Sequence, residues 1–349
     1  MKRIIQLVTL TIILFIGLWS CARPLPPTIA ISGETMGTTY NIKYVNVDGA
    51  ATKLSPAQMK DKVDKLLVEI NQLMSTYIPD SELSLLNQAQ ANVAFPISPA
   101  TDYVIQEALK LHHRSQGMLD ITVGPLVNLW GFGPTLRAEK IPTQAQLADT
   151  RAYIGVDKFN LSNGEIVKLH PKVYLDLSTI AKGYAVDEVA ALLLFEGLTN
   201  YLVEIGGEMR VAGTKPNNEK WLIAIEKPLS GERAIQQIVS IGDNAMATSG
   251  DYRNYFEEDG IRYSHLINPT TGYPIQHNMV AVTVVAPKSI EADGLATALM
   301  VMGSTQGKLL AENEGIAAFF IIKEGDEYVE YRSTEFTKKV QMIERKVVN

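Results

Sequence analysis

A single cysteine in 349 residues, Cys21, is the feature that most constrains this chain. No disulfide can form within it, so whatever it folds into must be held by a packed apolar core, which a chain of this length can supply. The position of the cysteine carries a second message. Lys2 and Arg3 open a short basic segment, Ile4 to Trp19 is a mostly apolar run, and Ser20-Cys21 follows at once. That is the order expected of a secretory signal. The run is short for a membrane span, which needs roughly 20 apolar residues.

A cysteine at the end of such a run has a role other than pairing, and lipidation supplies one. Leu18-Trp19-Ser20-Cys21 resembles a bacterial lipobox, with Trp19 bulkier than usual. An uncleaved signal anchor is the alternative, and it gives the same address. Ala22 to Pro27 holds three prolines in six residues and reads as an extended tether. The expected organisation is a signal peptide over 1–20, a lipidated cysteine and tether over 21–28, one folded domain over 29–340 and a tail over 341–349. The expected location is extracytoplasmic, lipid-anchored to a bacterial membrane on its periplasmic side.

Charge narrows the partners. Lys plus Arg is 32 and Asp plus Glu is 38; removing Lys2 and Arg3 with the signal takes away two positive charges and moves the net charge from −6 to −8. Nucleic-acid binding needs clustered cations facing phosphates, so this balance argues against it. A small anionic ligand needs only local positive groups and is not excluded.

Along the chain, Ser55-Pro56 signals a helix start, with Met59, Val63, Leu66, Ile70 and Leu73 at helical spacing. Ser98-Pro99 repeats the signal, with Gly117 as a stop, and a third helix begins near Thr143. Phe159–Leu161 and Ile166–Leu169 flank Asn163-Gly164, a hairpin signal. Val173 to Leu177 reads as a strand, Ala181 to Phe195 as a helix and Tyr201 to Ile205 as a strand ending in Gly206-Gly207. Strands at Val280 to Ala286 and Ala317 to Ile322 enclose a helix near Asp293 to Met302. The predicted class is α+β, with strands in hairpins and in crossovers.

Three places hold polar residues where these elements end. In Asp176-Leu177-Ser178-Thr179-Ile180-Ala181-Lys182-Gly183 a strand runs into a helix, so that backbone N–H groups and the Lys182 ammonium share one spot, a seat for phosphate; a merely solvated lysine is the bland alternative. Asp293 and Thr297, at i and i+4, offer a carboxylate and a hydroxyl to a hard cation such as Mg²⁺, or else Asp293 only caps its helix. Ala247 to Tyr252 and Tyr263 to Pro274 read as an irregular loop set around His265, a group able to take a proton from a hydroxyl near neutral pH. Of the five histidines, His112 and His113 fall on an amphipathic helix and read as surface, while His170 and His277 fall in turns. No G-x-G-x-x-G after a strand, G-x-x-x-x-G-K-[ST], H-E-x-x-H or G-x-S-x-G is present, which argues against the common nucleotide, zinc and hydrolase folds.

From Ile29 to about Val340 the sequence resembles the ApbE family of FAD:protein FMN transferases. The matching motifs, in the family's order, include Thr35-Met36-Gly37-Thr38-Thr39-Tyr40, Ser75-Thr76-Tyr77 with Asn87, Gly117 to Leu126, Leu129-Trp130-Gly131-Phe132-Gly133, Asp176 to Asp187, Ile205-Gly206-Gly207-Glu208, Ala247 to Tyr252, Ser264-His265 with Asn268-Pro269, and Asp293 with Thr297. The resemblance implies an ApbE-like fold of mixed sheets with packed helices and an FAD cleft. It puts Met36, Tyr77, Met118, Leu119, Asp120, Asp176, Lys182 and Ile267 at FAD-binding positions. Mg²⁺ would be held by the backbone carbonyl of Thr179 with Asp293 and Thr297, and His265 and Asp293 would be the catalytic pair of residues, His265 as base. Some members carry an aspartate where this chain has Ala296. The acceptor implied is a flavoprotein subunit of a membrane redox complex. FAD hydrolysis to FMN and AMP, and non-enzymatic FAD binding, are the alternatives.

Overall fold

The structure, a computed structural model, describes residues 25–46, 51–134, 141–228, 234–251 and 254–344. The signal segment, Cys21 and Tyr252 lie outside the described residues.

Strand β1 (Thr28–Thr35) and strand β2 (Thr38–Val45) form the opening hairpin. Helix α1 (Pro56–Met74) starts as its sequence dictates, with Ser55 and Gln58 in a reciprocal capping box and Pro56 in the first turn. Leu67 and Met74 join Met59, Val63 and Ile70 on its buried stripe, beside the half-buried Leu66 and Leu73. Helix α2 (Glu82–Gln88), strand β3 (Ala94–Pro96) and helix α3 (Pro99–Arg114) follow, the last capped by Ser98. Helix α4 (Gly124–Leu129) and helix α5 (Gln144–Arg151), the latter capped by Thr143, lead to the hairpin of β4 (Phe159–Ser162) and β5 (Glu165–Lys168). Asn163 and Gly164 turn it, both at positive φ, as expected of that dipeptide.

The second half runs α6 (Ala181–Phe195), β6 (Tyr201–Ile205), β7 (Glu208–Ala212), β8 (Ile223–Glu226), β9 (Ile235–Ser240), β10 (Ala245–Gly250), β11 (Tyr255–Glu258), β12 (Ile261–Ser264), β13 (Met279–Ala286), α7 (Ser289–Asn313), β14 (Ala317–Glu324), β15 (Glu327–Arg332), α8 (Thr334–Lys339) and β16 (Gln341–Ile343). Eight strands form one sheet in the order β1-β2-β6-β7-β10-β13-β14-β15, each neighbouring pair antiparallel.

Period-two alternation gives this sheet a core on each face. Along β14, Ala318, Phe320 and Ile322 enter the larger core with α1, α3, α6 and α7, while Ala317, Phe319 and Ile321 enter a second core with Trp221, Ile223, Val239 and Phe336 from β8, β9, α8 and their flanks. The α+β class is thus what the sequence predicts. The strand–helix–strand unit of β13, α7 and β14 nonetheless yields an antiparallel pair, with Val285 opposite Ala317. Its helical connection must return to the edge it left, and the break at Gly303, φ +80, divides α7 into two limbs that allow this.

Two expectations are corrected. Val173, Leu175 and Leu177 are buried, but the segment from Val173 to Leu177 is not a strand. Its backbone is satisfied without a ladder: the Asn87 side chain takes both the N–H (2.7 Å) and the carbonyl (2.9 Å) of Leu175, and Asp176 N–H donates to the Ile121 carbonyl (2.8 Å). Conversely, Ala245 to Gly250 is a central strand where a loop was expected from Ala247 onward. Its small side chains are loop-like in composition, yet they let α7 pack directly on the sheet.

Candidate active site

A cavity of about 640 Å³ opens at the end of the sheet where β2 begins and β6 ends. Tyr77, Met118, Leu119, Asp120, Asp176, Thr179, Lys182, His265, Ile267, Asp293 and Thr297 all line it. Met36 does not: it occupies the β1–β2 turn at φ +50 and packs half-buried on the main core.

The floor is a buried charge cluster. Lys182, in the first turn of α6, lies 3.0 Å from Glu208 Oε1 and 3.7 Å from Asp293 Oδ2. Burial alone would lower the Lys182 ammonium, but Asp293 and Glu208 outweigh it and hold it above the ordinary lysine range. Burial pushes the Glu208 carboxyl up to about 7 against the pull of Lys182, and it raises Asp293 as well. The solvated-lysine alternative is therefore out.

Two of the N–H groups at the start of α6 are already engaged. Ala181 N–H donates to the Leu177 carbonyl (2.8 Å) and Gly183 N–H to Asp293 Oδ2 (2.9 Å). An anion in the cavity meets the Lys182 side chain, not the N–H groups of Ala181 and Gly183. Gly183 also explains how two helix starts come so close: a Cβ there would stand 2.4 Å from the Ser289 carbonyl oxygen and 2.7 Å from Ile290 Cα.

Asp293 is no cap, because α7 begins at Ser289 and Lys288 supplies no side-chain cap. The capping is done from α6. Asp187 accepts from the N–H groups of Ser289 and Ile290, each at 3.0 Å, and from Arg210 at 2.6 Å. That contact fixes the helix carrying Asp293 and Thr297 against the helix carrying Lys182.

The donors facing this spot are oxygens. Thr179 Oγ1 is buried with no hydrogen-bond partner, and the Asp293 carboxylate and Thr297 hydroxyl line the same cavity. Among the described residues no three His, Cys, Asp or Glu side chains converge. An ion held here leans on hydroxyl, carbonyl, carboxylate and ligand oxygens, a set that fits Mg²⁺.

His265 follows β12 on the cavity wall. Its Nδ1–H donates to the Asn254 carbonyl at 3.0 Å, which leaves Nε2 as the lone-pair nitrogen. Burial, opposed by that bond and helped by Lys182, lowers its pKa below the ordinary 6.5. The loop beyond is held by hydrogen bonds: Asn268 Oδ1 accepts from the N–H groups of Thr270 (2.9 Å) and Thr271 (3.1 Å), and Trp130 Nε1–H donates to the Gly272 carbonyl (2.9 Å). Opposite, Asp120 Oδ1 is tied to Thr122 N (2.7 Å) and Oγ1 (2.6 Å), and Tyr77 stands 67% exposed, an aromatic face at the cavity wall with no covering.

A sequence model of the ApbE family matches residues 36–320. The chain belongs to the ApbE family. A protein of Vibrio cholerae named FAD:protein FMN transferase is 48% identical over 316 residues, 90% of this chain and 93% of that one. Another of the same name, from Haemophilus influenzae, is 44% identical over 344 residues, 97% and 98% of the two chains. Among solved structures, the flavin transferase ApbE from Vibrio cholerae matches with a TM-score of 0.84 at 46% identity, covering 90% of this chain and all of that one. The apo form of the Pseudomonas stutzeri flavinyl transferase ApbE matches at 0.83 and 38%, covering 90% and 98%.

Within this ApbE chain several residues carry the site that spacing alone did not single out. Glu208 and Asn87 stand in family motifs without a role that their sequence context reveals. Asp187 acts across two helices. His112, read as surface, is half-buried and its Nδ1 bonds the Leu119 carbonyl at 2.8 Å, pinning a cavity-lining loop.

Proposed function

We propose that this chain is a Mg²⁺-dependent FAD:protein FMN transferase that moves the FMN half of FAD onto a Thr or Ser hydroxyl of an acceptor flavoprotein and releases AMP. The observation that carries the reading is a histidine with a fixed tautomer in the same cavity as a half-buried lysine, bracketed by two buried carboxylates, and a set of oxygen donors.

The FAD diphosphate is anionic and repels an incoming oxygen until its charge is offset. Lys182 supplies one positive group, held in place by Glu208 and Asp293. Thr179, Asp293 and Thr297 would hold Mg²⁺, which when bound neutralises diphosphate oxygens and orients the phosphorus. Tyr77 offers a flat aromatic face to a flavin or adenine ring. His265 Nε2 accepts the proton of the acceptor hydroxyl as its oxygen bonds to the FMN phosphorus; the bond from that phosphorus to the bridging oxygen breaks, and AMP leaves. The product is a phosphoester.

The same reading has the chain exported and held in the membrane by an acylated Cys21, which places it beside flavin-carrying subunits of membrane redox complexes. The signal-like order of residues 2–21 supports it.

The test is incubation with FAD, Mg²⁺ and a flavin-subunit domain, following acceptor mass together with free FMN and AMP. Gain of one FMN on the acceptor, abolished by EDTA and by His265→Ala, is the expected result. Free FMN and AMP with two different acceptors unmodified would replace transfer by hydrolysis. FAD recovered intact in every reaction would leave only a binding protein.

A further inference from the structure

The chain enters the fold at Thr28, which pairs with Val45, at the end of β2 opposite the cavity. Val45 N–H donates to the Asn200 carbonyl, Thr214 N–H donates to Asn200 Oδ1 (2.9 Å), and Thr52 Oγ1 bonds Glu196 (3.4 Å). The end of α6 and the segments after β2 and β7 therefore share one rim with the start of the fold. On that rim Phe195 is 85% exposed, the most exposed large apolar side chain among the described residues, and Leu194 beside it is 46% exposed; Leu25, three residues before Thr28, is 53% exposed. The charge next to the ring is balanced, because Glu196 is bridged by Lys62 at 2.6 Å.

We infer that this rim is a membrane-contacting face, with the Phe195 ring, Leu194 and Leu25 seated in the interfacial zone of the bilayer that takes the acyl chains of Cys21. The inference rests on the lipid-anchor reading of Cys21. Seven residue steps separate Cys21 from Thr28, and a fully extended chain of that length reaches at most about 25 Å. An anchored protein cannot carry this rim far from the bilayer, and a wet aromatic side chain at that distance finds a favourable place at the interface. The cavity lies at the other end of β2. Seven strand steps from Thr38 to Val45 put it about 24 Å farther from the lipid. The acceptor hydroxyl must then be presented by a domain standing off the membrane at that height, and not by a loop lying among headgroups.

The test places single tryptophans in the full chain, purified from membranes and reconstituted in phosphatidylcholine vesicles with brominated acyl chains. Phe195→Trp probes the rim; Glu34→Trp, exposed on β1 opposite Thr39, probes the cavity end. Trp130 and Trp221 are buried and contribute the same background to both. Loss of the added emission at 195 but not at 34 is expected, whatever the transfer activity. Equal loss at both positions, or none at 195, in a chain whose Cys21 is acylated by mass would overturn the rim and keep the anchor. Loss at 195 alone in a chain with an unmodified Cys21 would keep the rim and remove the anchor. A chain that does not float with the vesicles would overturn both.

Discussion

The hydrogen bond made by one ring nitrogen of a histidine sets which nitrogen is left to take a proton, and here the Asn254 carbonyl leaves Nε2 of His265. The direction of its shift sets the pH profile. An imidazole lowered below 6.5 stays neutral in the fold at a pH where the unfolded chain has already taken up its proton. Turnover should therefore hold as pH falls through 6.5 and drop only below it, with His265→Ala removing that acid limb and lowering kcat about 10²–10⁴-fold. The same sign makes stability decline on acidification below 6.5; melts of parent and variant across that range separate the two effects. Lys182 is the other decisive residue. Lys182→Met leaves Glu208 and Asp293 facing each other with no cation. The cost is at or below about 3 kcal/mol, since the lysine is partly exposed while its partners are not. Mg²⁺ should recover part of the lost Tm if the oxygen donors hold it; a variant insensitive to Mg²⁺ would count against that ion site.

The site depends on two helix starts meeting, which is a property of elements. Gly183 allows the approach and Asp187 locks it. Gly183→Ala pushes a methyl into the Ser289 backbone, so one of the helices must move. A loss of about 1–3 kcal/mol is expected, as for other overpacked sites. Transfer should fall more than Tm suggests, because Asp293 and Lys182 ride on opposite sides of the contact. Parallel measurement of Tm and kcat decides this; a drop in Tm with kcat intact would mean that the helices part without disturbing the cluster.

At the scale of the molecule, one sheet carries a core on each face and the cavity at one end, so ligand binding and folding are linked. FAD with Mg²⁺ at about a hundredfold excess over Kd should add about 2.7 kcal/mol to unfolding and raise Tm accordingly. Little or no rise with FAD present would argue that the cavity is not its site. Much of this was legible in the sequence. Capping signals at Ser55, Ser98 and Thr143, the Asn163-Gly164 turn and the helix over Ala181–Phe195 are local, and local chemistry decides them. The motifs also named most of the residues lining the cavity, though not Ala224, Glu226, Met246 or Asn254. What local signals could not decide was where backbone groups find partners at long range. Val173–Leu177 has the pattern of a strand, but Asn87, 88 residues before Leu175, occupies the place of a neighbouring strand. Ala245–Gly250 has the composition of a loop, but α7 needs its small side chains in mid-sheet. The sequence by itself determined the capped helix starts, the Asn163-Gly164 turn and the chemical types present at the site. Tertiary structure alone decided that the Ala181 and Gly183 N–H groups are spent on Leu177 and Asp293, that Glu208 balances Lys182, and that Asp187 caps a helix beginning 102 residues later. Those pairings join residues far apart in the chain, and hydrogen bonding and burial choose them only once the fold has closed.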